Sequence, residues 1–141
     1  MVKIKQVISG QTLEIINSNN PGQKLRLLGI DAPDIKQQPW GKSAKNYLEQ
    51  LVIGQNLLLE SEQSEPDQYN RILGYIWLGN VLINEELIKL GYVLYSPYLL
   101  NNKYNQRFAN AQDYARIMGL GIWNPQNHLD MTPSEFRRQN N

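Results

Sequence analysis

The sequence predicts an α+β domain in which a small five-stranded β-barrel, closed or partly open, packs against three helices. Three observations lead there. Short apolar runs bounded by Gly, Asn and Pro fill the first thirty residues and return after residue 55. A single amphipathic segment separates the two groups, and two further helical stripes follow the second. A chain of 141 residues is long enough for one core and too short for two.

Residues 2 to 8 and 11 to 16 read as strands flanking Ser9-Gly10, and the turn-rich string Asn17 to Gly22 precedes a third run, Lys24 to Ile30. Trp40, Ala44, Tyr47, Leu48 and Leu51 share one helical face, with Gly54 placed to end it, so 40 to 52 is a helix. The sheet resumes with 55 to 60. After a polar loop from Ser61 to Asn70, 72 to 78 meets 81 to 83 through Gly79-Asn80, a two-residue hairpin signal. Asn84 is positioned to cap a short helix ending at Gly91. Asn101 or Asn102 opens another, whose stripe is Tyr104, Phe108, Ala111, Ala115 and Met118. Thr132-Pro133-Ser134-Glu135 has capping-box spacing with proline at the first helical position, which suits a final short helix carrying Phe136, Arg137 and Arg138. The order βββ-α-ββ-αα is that of an OB-like Greek-key barrel. We expect one domain over 1–125 and a tail over 126–141.

Composition removes several function classes. No apolar run approaches the roughly 18 to 20 residues that cross a bilayer, so no membrane partner is expected. The first eight residues alternate polar and apolar, as a strand does and a signal peptide does not. With no cysteine there is neither a disulfide framework nor a thiolate metal site, and the compartment stays open. A formal charge of +1 gives little global attraction for a polyanion, so any nucleic-acid binding must come from a local cluster of cations.

One such cluster is Arg26-Leu27-Leu28-Gly29-Ile30-Asp31-Ala32-Pro33-Asp34, an apolar strand with an arginine at its start and two carboxylates at its exit. Carboxylates at a strand mouth are metal or base candidates. Strict alternation would put Arg26 and Asp31 on opposite faces, so a shared site requires an irregularity, for which Gly29 is the natural place. A second cluster, Asp67-Gln68-Tyr69-Asn70-Arg71, is a turn in which Asn70 tolerates the left-handed conformation and Arg71 is aimed by the turn. Two guanidiniums suit a phosphate: each offers paired planar donors and stays charged as negative charge builds up on the oxygens.

These strings resemble the staphylococcal nuclease family, whose pattern runs approximately D-G-D-T, R-L-x-G-I-D-A-P-E, D-x-Y-G-R and a helical end closed by G-I-W. The matching strings are Ser9-Gly10-Gln11-Thr12, Arg26 to Asp34, Asp67 to Arg71 and Gly121-Ile122-Trp123. The resemblance implies the staphylococcal nuclease fold and a metal-dependent phosphodiesterase acting on DNA or RNA with little sequence preference, as a monomer. It implies Ca²⁺ held by Asp31, the Ala32 carbonyl and Gln11. Arg26 and Arg71 would stabilise the transition state, Asp34 would act as base or orient the attacking water, and Tyr69 and Tyr98 would lie beside the nucleotide. Two positions depart from the pattern: Gln11 stands for an aspartate and Asp34 for a glutamate. A neutral ligand and a shortened acid imply a weakened Ca²⁺ site and reduced activity, since cation affinity follows ligand charge and about 1 Å of misplacement costs on the order of a hundredfold in rate. The alternative is a nuclease-like module that binds nucleic acid or another anionic partner without cutting it.

Trp40, Trp77 and Trp123 read as core or helix-packing residues. His128, with no second histidine or cysteine, reads as a surface residue. Lys42, Lys45, Arg137 and Arg138 read as solvated charge rather than a basic rim. Tyr92, Tyr95, Tyr98 and Tyr104 divide between core and a nucleotide wall in a way the sequence does not decide.

Overall fold

The computed structural model describes residues 1–61, 67–97 and 103–140. Five main strands, β1 (Ile4–Val7), β2 (Thr12–Ile15), β3 (Lys24–Leu27), β5 (Leu58–Ser61) and β6 (Arg71–Leu78), run side by side in the order β1-β2-β3-β6-β5. A short β7 (Val81–Leu82) folds back on β6 through the Gly79-Asn80 hairpin, and β4 (Ile30–Asp31) pairs separately with β8 (Leu94–Tyr95). All pairings are antiparallel except β3 with β6. The sheet is not a closed barrel. Its edges meet at one antiparallel bridge, where the Val2 amide donates to Leu57 O at 2.7 Å and the Leu57 amide to Val2 O at 2.9 Å.

Helix α1 (Trp40–Val52) buries Gly41, Ala44, Leu48 and Val52, the four-residue rhythm of an amphipathic helix. Helices α2 (Ile83–Lys89) and α3 (Asn105–Met118) pack together on the sheet, and α4 (Pro133–Asn140) follows a single 3₁₀ turn, Gly121–Trp123. Leu13, Leu25, Leu27, Ile76, Leu82, Leu87 and Phe108 are fully buried between sheet and helices. Each such side chain contributes about 1.5–3 kcal/mol of hydrophobic stabilisation.

The sequence located these elements except β8, which pairs with β4, and the 3₁₀ turn; the other differences lie at their ends. The run from Lys24 to Ile30 is two strands, because Leu28 and Gly29 form a turn, with Gly29 at φ +81°. Asn84 does not cap α2: the cap position is Leu82, and Asn84 is wholly buried inside the helix. Its side chain accepts from the Ile76 amide at 3.2 Å and donates to Leu28 O at 2.9 Å, so α2 is stitched to both β6 and the turn after β3. Asn101 and Asn102 lie outside the described residues; α3 runs from Asn105 with Tyr104 at its cap position. The capping box of α4 is present, with the Glu135 amide donating to Thr132 Oγ1 at 3.1 Å and Thr132 Oγ1 bonded to Glu135 Oε1 at 2.9 Å.

Candidate active site

The parallel pairing of β3 with β6 brings the two arginines together. Arg26 is opposite Leu73 in the register, and Arg71 lies two residues before Leu73. Side chains two apart on a strand share a face, so Arg26, Arg71 and Leu73 project the same way. All three line an open hollow of about 500 Å³ together with Gly29, Asp67, Tyr69 and Ser96.

Arg26 is half-buried and curls around the turn that follows its own strand, donating from Nη1 to Leu27 O and from Nη2 to Ile30 O at 3.0 Å. That curl depends on Gly29. Its left-handed backbone ends the strand, and a Cβ there would stand 2.4 Å from the Phe108 ring. Among the described residues no carboxylate is within ion-pair distance of Arg26. Burial lowers its pKa to about 10; nearby Asp31 opposes the shift, while Arg71 and Arg137 reinforce it. The guanidinium remains cationic at neutral pH; its hydrogen bonds among the described residues go to neutral carbonyls, and beside Asp31 it feels two further cations, Arg71 and Arg137, whose repulsion a bound anion would relieve.

Arg71 is aimed by its turn. Asn70 adopts φ 59°, and Asp67 Oδ1 accepts the backbone amides of Tyr69 at 3.0 Å and Arg71 at 2.8 Å. Asp67 Oδ2 receives the guanidinium, from Nε at 3.1 Å and Nη2 at 3.0 Å. Burial pushes the Asp67 carboxyl up, but the hydrogen bonds and charge of Arg71 outweigh it and the net shift is downward. The exposed Tyr69 ring lies 5.1 Å from the Arg71 guanidinium carbon, at cation–π distance. Gln23 supports the turn from below: it is buried, and its amide donates to Asn70 O at 3.0 Å. Sequence reasoning missed Gln23, since nothing marks a glutamine in a turn-rich string as a brace for residues 47 positions later. Asp67 as the carboxylate that orients Arg71 was readable from their four-residue spacing.

The acids are placed differently. Asp31, Ala32, Asp34 and Gln11 do not line the hollow. Asp31 follows the Ile30 carbonyl that holds Arg26, and both its oxygens are taken by Arg137 of α4, Oδ1 at 3.1 Å and Oδ2 at 3.2 Å. Arg137 therefore makes a specific pair instead of standing as solvated charge. Gln11 Oε1 accepts the Ala32 amide at 2.7 Å, so Gln11 acts as a backbone clasp between β2 and the residues after β4. Asp34 caps its own turn, with Oδ1 accepting the Lys36 amide at 2.9 Å. Gly41 lets α1 lie against the Asp34 carbonyl, where a Cβ would be 1.9 Å away. These donors do not fit a Ca²⁺ ion as they stand. Both Asp31 oxygens and the Gln11 oxygen are engaged by hydrogen-bond donors, and no group of three acidic, histidine or cysteine side chains converges among the described residues.

The family model described as "Staphylococcal nuclease homologue" matches residues 24–125, which include Arg26, Asp31, Asp34 and Arg71. The chain belongs to the staphylococcal nuclease family. It is 35% identical over 126 residues to a thermonuclease of Staphylococcus hyicus, covering 86% of this chain and 74% of that one. A thermonuclease of Staphylococcus intermedius is 34% identical over 125 residues, covering 85% of this chain and 74% of that one. An uncharacterized endonuclease of Haemophilus influenzae is 31% identical over 138 residues, covering 97% of this chain and 72% of that one. Gln11 and Arg137 lie outside the span that the family model matches.

The remaining aromatic residues are mostly structural. Tyr92 stacks on Tyr47 with centroids 4.3 Å apart, and Tyr95 and Tyr104 pack around Phe108. Trp77 Nε1 donates to Glu60 at 3.0 Å. Tyr98 lies outside the described residues. His128 is exposed, 3.7 Å from Asp130. No helix among the described residues is long and apolar enough to cross a membrane.

Proposed function

We propose that this chain is a monomeric nuclease that hydrolyses phosphodiester bonds of DNA or RNA with little sequence preference and at a reduced rate. The observation that supports it most is the pair of guanidiniums on one face of β3 and β6, opening on a hollow in which Arg26 has no carboxylate partner among the described residues. In this reading Arg26 and Arg71 bind the non-bridging phosphate oxygens and take up the charge that grows on them during attack. Asp67 holds Arg71 in orientation, and Tyr69 offers an exposed ring beside the nucleotide. Asp34, outside the lining of the hollow on a turn held by the Lys36 amide, is the base or water-orienting acid by its place in the family pattern. A slow reaction is supported by the engaged state of Asp31 and Gln11 and by the short reach of Asp34.

The test is incubation of the purified chain with single-stranded and duplex DNA in Ca²⁺, Mg²⁺, Mn²⁺ or EDTA, beside Arg71→Ala. Cleavage that falls by at least about a hundredfold in the variant is expected, the size of effect seen when one transition-state donor is removed. Arg71→Lys will not restore it, because an ammonium lacks the paired planar donors. The Arg137 pair on Asp31 favours a second reading, a module that binds nucleic acid without cutting it. Retention of oligonucleotide with no cleavage under any ion would select that reading.

A further inference from the structure

Arg71 and Arg137 are presented in the same way. Each is held by a carboxylate through two nitrogens, Arg71 by Asp67 at 3.1 and 3.0 Å and Arg137 by Asp31 at 3.1 and 3.2 Å. In both pairs the carboxylate lies beneath, 15% and 14% exposed, and the guanidinium outside, 27% and 44% exposed. Each pair engages only part of the guanidinium's N–H donors, so both arginines keep donors for an acceptor arriving from solvent. The two pairs flank Arg26. Arg71 shares its face and its hollow, while on the other side Arg26 Nη2 rests on Ile30 O at 3.0 Å and Arg137 is fixed on the next side chain, Asp31. Consecutive Cα atoms are about 3.8 Å apart, so β4 anchors two guanidiniums on neighbouring residues. Besides burial and Asp31, Arg71 and Arg137 both act on the Arg26 pKa, each lowering it. Three cations thus gather in a chain whose formal charge is only +1. The docking of α4 has a second brace: buried Gln37 donates from Nε2 to Met131 O at 2.8 Å and accepts the Asp34 amide at 2.9 Å, joining the approach of α4 to the turn after β4.

We propose that Arg137 extends Arg71 and Arg26 into a track of three guanidiniums for successive phosphates of one single strand of nucleic acid, Arg137 taking a phosphate beyond the hollow. The proposal rests on the reading above that Arg26 and Arg71 hold a phosphate. Like charges gathered along one line repel each other, and a polyanion laid along them removes that repulsion while releasing its own counterions. The carboxylates beneath hold the outer two guanidiniums in orientation, which suits the planar, paired donation that phosphate oxygens accept. A single strand is favoured because the exposed Tyr69 ring stands beside Arg71, at the far end from Arg137, where an unpaired base can stack on it. Arg137 lies past residue 125, where the family match ends, so this third contact is an addition of this chain's own C-terminal helix.

The experiment measures binding of the full chain to a fluorescent oligothymidylate by anisotropy, in EDTA and over a series of salt concentrations, with the oligonucleotide verified intact. Wild type is compared with Arg137→Gln, with Arg138→Gln as a variant of equal charge on the same helix, with Asp31→Asn and with Arg71→Ala. Loss of one phosphate contact on a single strand makes the plot of log affinity against log salt shallower by about 0.7. Arg137→Gln is expected to show that change and to bind about fivefold more weakly, whereas Arg138→Gln stays within about twofold at an unaltered slope. Asp31→Asn breaks the clasp but keeps the Arg137 charge, so its slope is expected to equal or exceed that of wild type. An unchanged slope in Arg137→Gln overturns the track, as does an equal fall in Arg138→Gln, which would mark bulk charge. An equal fall in Asp31→Asn overturns it too, since Arg137 would then act only by docking α4. If Arg71→Ala weakens binding while Arg137→Gln does not, the track fails and the phosphate reading of the hollow stands. If wild type does not bind, both fail. Cleavage enters no readout, so a chain that binds along the track without cutting upholds the inference and refutes the nuclease.

Discussion

Gly29 converts a strand into a site. Its left-handed backbone ends β3, turns the Ile30 carbonyl toward Arg26 and admits the Phe108 ring to a place that a methyl group would occupy. Gly29→Ala is therefore expected to cost about 2–4 kcal/mol, from backbone strain and forced repacking together. Equilibrium urea unfolding measures it, and a change under about 0.5 kcal/mol, the scale of an ordinary surface substitution, would count against this account. The need for an irregularity at Gly29 was legible because alternation alone would have separated Arg26 from Asp31. The partners of the acids were not. A carboxylate in a string says nothing about whether its oxygens meet an ion, an amide or a distant guanidinium, and Arg137 is 106 residues away from Asp31.

Among the elements, β6 and α2 show where local pattern ends and tertiary chemistry begins. The hairpin at Gly79-Asn80 and the apolar stripe of α1 were readable because turn chemistry and periodicity are local. Asn84 was misread as a cap for the same reason: the residue type favours caps, and only the packed structure reveals Ile76, Leu28 and Gly74 around its amide. Asn84→Ala strands a buried amide and a carbonyl and is expected to destabilise the fold by about 3 kcal/mol, with Asn84→Leu no better. The midpoint of thermal unfolding is the readout, and a leucine variant as stable as wild type would show that those bonds contribute nothing net. The same loss should loosen the turn after β3, since Leu28 O is one of the partners, so substrate affinity should weaken along with stability.

Over the whole molecule, the order of the five main strands and the helices followed from the sequence, whereas the separate β4–β8 pair and the degree of closure did not, because neither that pair nor the bridge between residues 2 and 57 leaves a local mark. Acid response is also a global property. Glu60 is pushed up by burial but brought net below its ordinary value by bonds from Lys103, Tyr104 and Trp77. Asp67 is likewise held below its ordinary value by Arg71. Carboxyls depressed by folding stabilise the native state fully above their unfolded values, and that contribution is lost as pH falls through the folded ones. The urea midpoint should thus stay level from pH 7 to about 5 and decline below about 4.5, with a shallower decline in Glu60→Gln. A midpoint that rises on acidification would contradict the sign.

The solitary rung between Val2 and Leu57 also decides where this domain wears first. Like a bracelet closed by one pin, the wall can part at β1 and β5 while the middle of its span, β3 beside β6, keeps its grip on both arginines. Damage at the pin will register as lost ruggedness before it disturbs the place of Arg26 and Arg71 on β3 and β6.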